Sequence, residues 1–179
     1  PASASRCGGV GGDAPGTGAL PRFTRVADAI APAPSDPAHA YRIAIGAGTW
    51  RERIRIDRPN LRLSGAGMDK TTLVFTRHAG LAGPNGSPIG TFDTATVTVT
   101  APGFAAEELT IANDYDYVGD SENSGGDGKV GHHGGQAVAL ALEGSADCSH
   151  LRRVRLISHQ DTLYAHGERS LFHDCTIEG

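Results

Sequence analysis

Three polar side chains in the second half of the chain have the types and spacing to act on a carbonyl group. Gln160 and Asp161 are adjacent, and Gln136 lies in an earlier apolar segment. A carboxyl group can donate and accept a proton, and neutral amides can hydrogen-bond an oxygen on which negative charge develops. Because neighbours on a flat strand point to opposite faces, Gln160 and Asp161 can share a site only if the backbone bends, which we expect near 158–160.

The composition is that of an ordinary globular chain with many turns. Its 179 residues predict one domain, with 39% hydrophobic and 20% charged residues. The 25 glycines and 10 prolines favour turns over long helices. The net charge is −4 and no basic stripe is present, so we expect no nucleic-acid partner. No run reaches the roughly 18 apolar residues of a membrane span.

The apolar pattern predicts one short helix followed by strands. Residues 1–20 are rich in Gly, Ala, Pro and Ser and are expected to form a flexible arm, which leaves a single domain over 21–179. Residues 23–30 have helical spacing and predict a short capping helix. Residues 41–48 and 51–65 alternate with period two, and each segment predicts a strand with one buried face.

A recurring unit organises the rest of the chain. Three triplets of apolar residues share a spacing of three then two, and successive triplets lie 45 and 21 residues apart, close to multiples of one step. A constant step with short β-segments predicts an all-β parallel β-helix. A β-sandwich does not require a fixed step, and a βαβ fold requires helices between the strands. The triplets are Ala106/Leu109/Ile111, Leu151/Val154/Leu156 and Phe172/Cys175/Ile177.

Ordered motifs over almost the whole chain resemble the pectin methylesterase family, with a long loop before Gln136 that is similar to bacterial members. The family's central motif is similar to QDTLYAHGERSLFHDCTIEG at 160–179. The segments GTWRERI at 48–54, TFDTATV at 91–97, LTIANDYDY at 109–117 and GQAVAL at 135–140 precede it in the family's order. Either QDTLY or QAVAL alone would be a weak match, but the ordered set is specific.

The resemblance implies a fold, an activity and a set of site residues. The fold would be a right-handed parallel β-helix, and the activity would be hydrolysis of methyl esters of polygalacturonate, with methyl-esterified pectin as the partner and no cofactor or metal. Asp161 would be the general acid and base, and Gln136 and Gln160 would line the oxyanion site. Thr91 would contact the sugar chain, as would Gln136.

The resemblance also implies residues that this sequence does not contain. The family continues after CTIEG with a motif whose aspartate is the nucleophile, and a later arginine and tryptophan complete the site. If the protein ended at Gly179, we would expect no turnover and self-association through unpaired backbone groups. The alternative function is a non-catalytic β-helix that binds polysaccharide or serves a structural role at the cell envelope.

Several of these residues also have a purely structural interpretation. Asp161 could cap a turn, and the two glutamines could form a ladder of stacked amides. Thr91 lies in a Thr-rich segment that predicts a strand. Tyr115 and Tyr117 could stack on a sugar or cover the edge of the core. Acidic residues at 114–122 lack the spacing of a calcium loop, so a solvated loop is the preferred interpretation.

The three cysteines neither suggest a metal site nor define a pairing. Cys7, Cys148 and Cys175 lack zinc-like spacing. Cys175 aligns with Val154 in the repeat and not with Cys148, which argues against a bridge between these two cysteines. The start PASAS is typical of a processed terminus, and we expect a secreted or cell-envelope protein.

Overall fold

The computed structural model describes residues 20–123 and 134–179. The predicted arm, apart from residue 20, lies outside the described residues. Two short helices are present in the described ranges, α1 (Val26–Ile30) and α2 (Tyr117–Asn123), together with a 3₁₀ turn at Thr91–Thr94. The strands are β1 (Tyr41–Ala44), β2 (Gly48–Arg51), β3 (Ile54–Ile56), β4 (Leu61–Ser64), β5 (Thr71–Phe75), β6 (Val97–Val99), β7 (Ala105–Asn113), β8 (Leu140–Leu142), β9 (Ser149–Ile157), β10 (Leu163–Ala165), β11 (Ser170–His173) and β12 (Thr176–Glu178).

These strands coil into a parallel β-helix. Every pairing between the named strands is parallel. Within the described ranges, one sheet has the order β1-β4-β7-β5-β2, with β9 beside β7 and with β11 and β12 beside β9. A second sheet has the order β10-β8-β6-β3. The chain therefore returns to the same sheets on each circuit, which confirms the predicted architecture.

The three-then-two spacing corresponds to stacked inward positions. Ala106, Leu109 and Ile111 pair with Leu151, Val154 and Leu156. The third triplet follows the same register, because Phe172 pairs with Leu151 and Ile177 pairs with Leu156. In each of the three copies, the chain bends at an equivalent residue with a left-handed backbone. This residue is an extra one between two inward-facing positions, which makes their spacing three instead of two. These residues are Glu108 (φ 57°), Arg153 (φ 52°) and Asp174 (φ 52°).

The segment at 51–65 forms two strands that belong to different sheets, so the prediction of one continuous strand was wrong. β3 lies in the four-stranded sheet and β4 in the eight-stranded sheet. Asn60 has a left-handed backbone (φ 52°) and turns the chain between them. The apolar residues of both strands are buried, as predicted. Arg53 and Arg55 therefore lie on a different outward face from Arg62.

The predicted capping helix is present but shorter than its sequence pattern. It begins at Val26, and Phe23 is 38% exposed. The buried carboxylate of Glu52 accepts hydrogen bonds from the backbone N–H groups of Val26 (2.8 Å) and Ala27 (3.1 Å). An acidic group at a helix N-terminus satisfies donors that have no partner within the helix. Glu52 therefore fixes α1 against β1 and β3.

Gly65 is required where β4 leaves its sheet. A Cβ atom added there would overlap the carbonyl oxygen of Glu108 and lie 2.8 Å from the Cβ of Leu109. We expect Gly65→Ala to lower the free energy of unfolding by about 1–3 kcal/mol, since backbone atoms must move to accept the methyl group. Denaturant unfolding measures this change. Gly46→Ala is the control, because a Cβ at Gly46 has no neighbour within 4 Å, and equal effects of the two substitutions would contradict the prediction.

Candidate functional site

Asp161 lies at a bend between β9 and β10, on the outside of the β-helix. His159 and Gln160 form the bend, as expected from the sequence, and Asp161 itself is left-handed (φ 58°). The carbonyl groups of Gln160 and Thr162 accept hydrogen bonds from Ala137 N (3.1 Å) and Ala139 N (3.0 Å). Asp161 is thus held beside the segment 137–139 with its side chain exposed to solvent.

The carboxylate of Asp161 is available for chemistry. Within residues 20–123 and 134–179 it accepts no hydrogen bond and forms no ion pair. A turn-capping aspartate would accept a bond from a nearby backbone N–H group, and this bond is not seen in the described residues. The left-handed backbone is one that aspartate tolerates better than most residues with a side chain.

Gln136 and Gln160 lie on neighbouring coils at matching register positions. The carbonyl group of Gln160 accepts a hydrogen bond from Ala137 N, just as the carbonyl group of Ser64 accepts one from Ile45 N where Ser64 pairs with Ala44. A ladder of stacked amides requires this register, so the structural interpretation of the two glutamines stands beside the catalytic one. Gln136 is half-buried and Gln160 is exposed.

Gly134 shapes the position of the Gln136 amide. A Cβ atom added to Gly134 would overlap Oε1 of Gln136 and lie 2.6 Å from Nε2. Gly134 has a positive φ of 84°, a conformation that glycine adopts without strain. The amide of Gln136 therefore packs directly on the backbone of this glycine.

Thr91 begins the 3₁₀ turn and is not in a strand, so that part of the sequence interpretation was wrong. The Thr94 hydroxyl donates to the Thr91 carbonyl oxygen (2.6 Å) and accepts from Val138 N (2.9 Å). A side-chain hydroxyl that bonds the backbone locally competes with the extended conformation. Through these two bonds of Thr94, the 3₁₀ turn is attached to the segment 137–139, beside which Asp161 lies.

Asn113 is a buried polar residue that sequence reasoning missed. It is 2% exposed, and its amide nitrogen donates to the carbonyl groups of Arg77 (2.8 Å), Thr94 (3.2 Å) and Val138 (3.1 Å). Its Oδ1 accepts from the backbone N–H groups of Arg77 and Tyr115, both at 3.3 Å. One side chain thereby joins three segments directly beneath the site. The sequence offered one signal for this residue, an asparagine at the end of an apolar segment.

An aromatic surface adjoins Asp161 on the outward face of the four-stranded sheet. The ring centroids of Phe92 and Tyr164 lie 4.5 Å apart, and those of Tyr164 and His166 lie 5.5 Å apart with an interplanar angle of 12°. Phe92 is 55% exposed. These three rings and Glu143 line an open depression. Exposed aromatic rings of this kind suit the apolar faces of sugar rings.

Two further aromatic pairs lie near Gln136, because Tyr115 and Tyr117 both pack beside Gly135. Tyr115 is buried and stacks on His78 with centroids 3.9 Å apart, while Tyr117 is half-buried and stacks on His159 at 4.5 Å. Burial raises the pKa of the Tyr115 hydroxyl, and Asp120 adds to this effect. Tyr115 therefore covers the core edge, whereas Tyr117 remains partly accessible beside the bend that carries Gln160.

The acidic residues near the site are not arranged for a metal ion. Asp114 forms an ion pair with Arg51 (2.5 Å) and accepts a hydrogen bond from the Thr76 hydroxyl. The hydrogen bond from Arg51 is the main cause that lowers the pKa of Asp114. In the part of the chain that the structure describes, no three His, Cys, Asp or Glu side chains converge on a position that suits a metal.

The two described cysteines differ in state. Cys148 is disulfide-bonded and Cys175 is a free, half-buried thiol, which confirms that they are not joined to each other. None of the described helices is long and apolar enough to cross a membrane.

The geometry combines an exposed carboxylate, two nearby amides and an aromatic surface on one side of a β-helix. Comparison with known proteins defines the family. A sequence profile of the pectinesterase family matches residues 14–179. Pectinesterase A of Dickeya dadantii is 39% identical over 146 residues, which are 81% of this chain and 39% of that protein. Probable pectinesterase 56 of Arabidopsis thaliana is 37% identical over 88% of this chain and 47% of that protein.

Solved structures give the same result. Pectin methylesterase PemA from Erwinia chrysanthemi superposes with a TM-score of 0.80 at 38% identity, over 87% of this chain and 45% of that chain. A pectin methylesterase in complex with a hexasaccharide gives a TM-score of 0.81 at 38% identity, with the same coverage. The chain belongs to the pectinesterase family, and the right-handed parallel β-helix predicted from its sequence is confirmed. It spans less than half the length of these relatives.

Proposed function

We propose that the natural full-length protein hydrolyses methyl esters of pectin, releasing methanol and leaving free galacturonate carboxylates. The supporting observation is the exposed Asp161, held at a left-handed bend with Gln160 on the same coil and Gln136 on the neighbouring coil. Membership of the pectinesterase family supports the same activity. No cofactor is required for this reaction.

In the proposed mechanism, a carboxylate nucleophile attacks the ester carbonyl carbon. From the resemblance to the family, we expect this nucleophile to lie after Gly179 in the natural protein. Gln136 and Gln160 donate hydrogen bonds to the carbonyl oxygen as it becomes negative, and each such donor is worth roughly 3–4 kcal/mol of barrier. Asp161 gives its proton to the departing methoxide, which leaves as methanol. Asp161 then takes a proton from water, which attacks the acyl-enzyme and restores the nucleophile.

Thr91 and the aromatic depression would bind the sugar chain. Thr91 starts the turn that carries Phe92, and Phe92 contacts Tyr164. Polysaccharide laid along this face would place a methyl ester near Asp161 while neighbouring sugars stack on the rings. A pectin methylesterase of similar fold has been solved in complex with a hexasaccharide, which supports an extended sugar site.

A secreted or cell-envelope location accompanies this function. The disulfide at Cys148 supports an oxidising compartment, because such bonds persist outside the cytosol. Pectin itself is a cell-wall polymer, so its ester groups are accessible only outside the cell that secretes the enzyme.

The test is methanol release from highly esterified pectin by the natural full-length protein. We expect methanol and titratable acid in equal amounts, with no unsaturated sugar product. A protein that only binds polysaccharide would release neither, and a lyase would release unsaturated sugar without methanol. Binding of pectin without any methanol release by the full-length protein would refute the proposal.

A further inference from the structure

The bend that carries Asp161 is flanked by two buried residues with hydroxyl groups. His159, Gln160 and Asp161 are exposed, whereas Ser158 is 8% exposed and Thr162 is 6% exposed. A buried hydroxyl group needs a hydrogen-bond partner to offset the loss of its contact with water. The partners of Ser158 and Thr162 therefore indicate what these two residues do at the bend.

Both ends of the bend are tied to one acceptor, the carbonyl oxygen of Glu178 at the end of β12. The Thr162 hydroxyl donates to this oxygen (2.8 Å), and so does the backbone N–H of Ser158 (3.2 Å). The Ser158 hydroxyl donates to the carbonyl oxygen of Ala137 on the preceding coil. The Thr162 carbonyl oxygen accepts from Ala139 N (3.0 Å) on that same coil. The two ends of the bend are thereby fixed relative to each other and to the coil beside them.

The hydroxyl bond of Thr162 repeats a bond made elsewhere in the β-helix. Thr162 directly precedes β10 as Thr96 precedes β6, and both strands pair with β8 in the same register. The Thr96 hydroxyl also donates to a carbonyl oxygen, that of Ala112 (2.8 Å). Ala112 and Glu178 belong to one ladder, since both pair with Ile157. Each threonine therefore closes its own coil in the same way, but only Thr162 follows the proposed acid.

Asp161 has a backbone conformation that its neighbours must maintain. Its φ of 58° is left-handed, which is unfavourable for a residue with a side chain and persists where the surrounding structure imposes it. Among the residues that the structure describes, none donates a hydrogen bond to its carboxylate. The conformation is therefore held by the residues on either side of the bend and not by the Asp161 side chain.

We propose that Ser158 and Thr162 are positioning residues, which hold Asp161 in its left-handed conformation and so direct its carboxylate to the ester. The kinetic consequence of this inference rests on the proposed function. Both residues are buried, so neither contacts the substrate, and each acts through Asp161. Loss of the Thr162 hydroxyl leaves one end of the bend untied, and the backbone of Asp161 can relax. A carboxylate displaced in this way is misplaced for proton transfer.

The kinetic test uses methanol release from esterified pectin by the natural full-length protein. Thr162→Val removes the hydroxyl at nearly constant shape, and we expect it to lower kcat about tenfold with KM within about twofold of the parent. Ser158→Ala is expected to act in the same direction. Thr162→Ser retains the hydroxyl and should restore most of kcat. In a protein that already carries Asp161→Asn, Thr162→Val should cause no further loss, because the carboxyl group through which it acts is absent.

Thr96→Val is the matched control, since Thr96 is also buried and loses the equivalent bond on a coil that does not carry Asp161. We expect Thr96→Val and Thr162→Val to lower the midpoint of denaturant unfolding to a similar extent, with kcat lowered by Thr162→Val alone. An equal loss of kcat from Thr96→Val would overturn the inference. A further loss of kcat from Thr162→Val in the Asp161→Asn protein would do so as well, because the hydroxyl would then serve folding and not Asp161.

Crystal structures of the full-length variants test the positioning itself, whether or not methanol is released. We expect the backbone of Asp161 to leave the left-handed region in Thr162→Val and to remain there in Thr162→Ser and Thr96→Val. An Asp161 that stays left-handed in Thr162→Val overturns the inference, even if the parent releases methanol. If Asp161 moves as expected but the parent releases no methanol, the proposed function fails, while the role of Thr162 in holding the bend is supported.

Discussion

Replacing Asp161 by Asn is expected to lower kcat for methanol release from esterified pectin by about 10²–10⁴-fold. Asparagine keeps the size of the side chain and tolerates the left-handed backbone of Asp161 (φ 58°), so the fold should be retained. It cannot donate the proton that the departing methoxide needs, nor accept one from water. The measurement is steady-state methanol release by the natural full-length protein.

The control for this prediction is Asp174→Asn. Asp174 is also an exposed aspartate with a left-handed backbone (φ 52°), on the strand bend of a neighbouring part of the chain. Its carboxylate lies 3.6 Å from Nε2 of His173, and it is not part of the proposed site. We expect little change in kcat from this variant. Similar losses from both substitutions would show that an aspartate at a bend is needed for folding, and the acid–base role of Asp161 would be refuted.

The candidate acid and amides could be named from sequence because they are contained in local motifs, but their arrangement depends on bends that local sequence does not specify. Gln160 and Asp161 share an outward surface only because His159 and Gln160 bend and Asp161 is left-handed. A bend was predicted from the requirement that adjacent side chains serve one site. The left-handed conformation itself was not predicted, since aspartate adopts it in a minority of cases.

The same distinction applies to the fold. The spacing of the triplets predicted the register correctly, because inward residues on successive coils must align to exclude water. The residues that cause this spacing are Glu108, Arg153 and Asp174, and none is a glycine. Their conformation is imposed by the stacking of one coil on the next. Likewise, period-two alternation continues from β3 to β4 although Asn60 turns the chain between two sheets.

Residues that hold the site are harder to find from sequence than residues that perform chemistry. Asn113 contacts backbone groups 36, 19 and 25 positions away, at Arg77, Thr94 and Val138. No local pattern relates these positions, because they come together only when the coils stack. The Thr94 hydroxyl is similar, since its partner Val138 is 44 residues away. Sequence therefore predicted the acid and the amides, while the structure identifies what fixes them.

Asn113 is expected to be a major determinant of stability, and Asn113→Leu should lower the free energy of unfolding by about 3–5 kcal/mol. Leucine has a similar size but offers neither donor nor acceptor. Three carbonyl groups and two N–H groups would lose a partner in a place that is almost inaccessible to water. Each unsatisfied buried group costs about 1–3 kcal/mol, and partial relaxation keeps the total below the sum.

The matched control is Thr110→Val, on the same strand. Thr110 is 4% exposed and its hydroxyl makes one hydrogen bond, to the carbonyl oxygen of Met68 (2.8 Å). Valine preserves the shape, so the expected loss is about 1 kcal/mol. Denaturant unfolding of both variants gives the two free energies with unchanged m-values. If Asn113→Leu proves no more destabilising than Thr110→Val, the five bonds of Asn113 do not act together to join the coils, and the site must be positioned by the strand ladders alone.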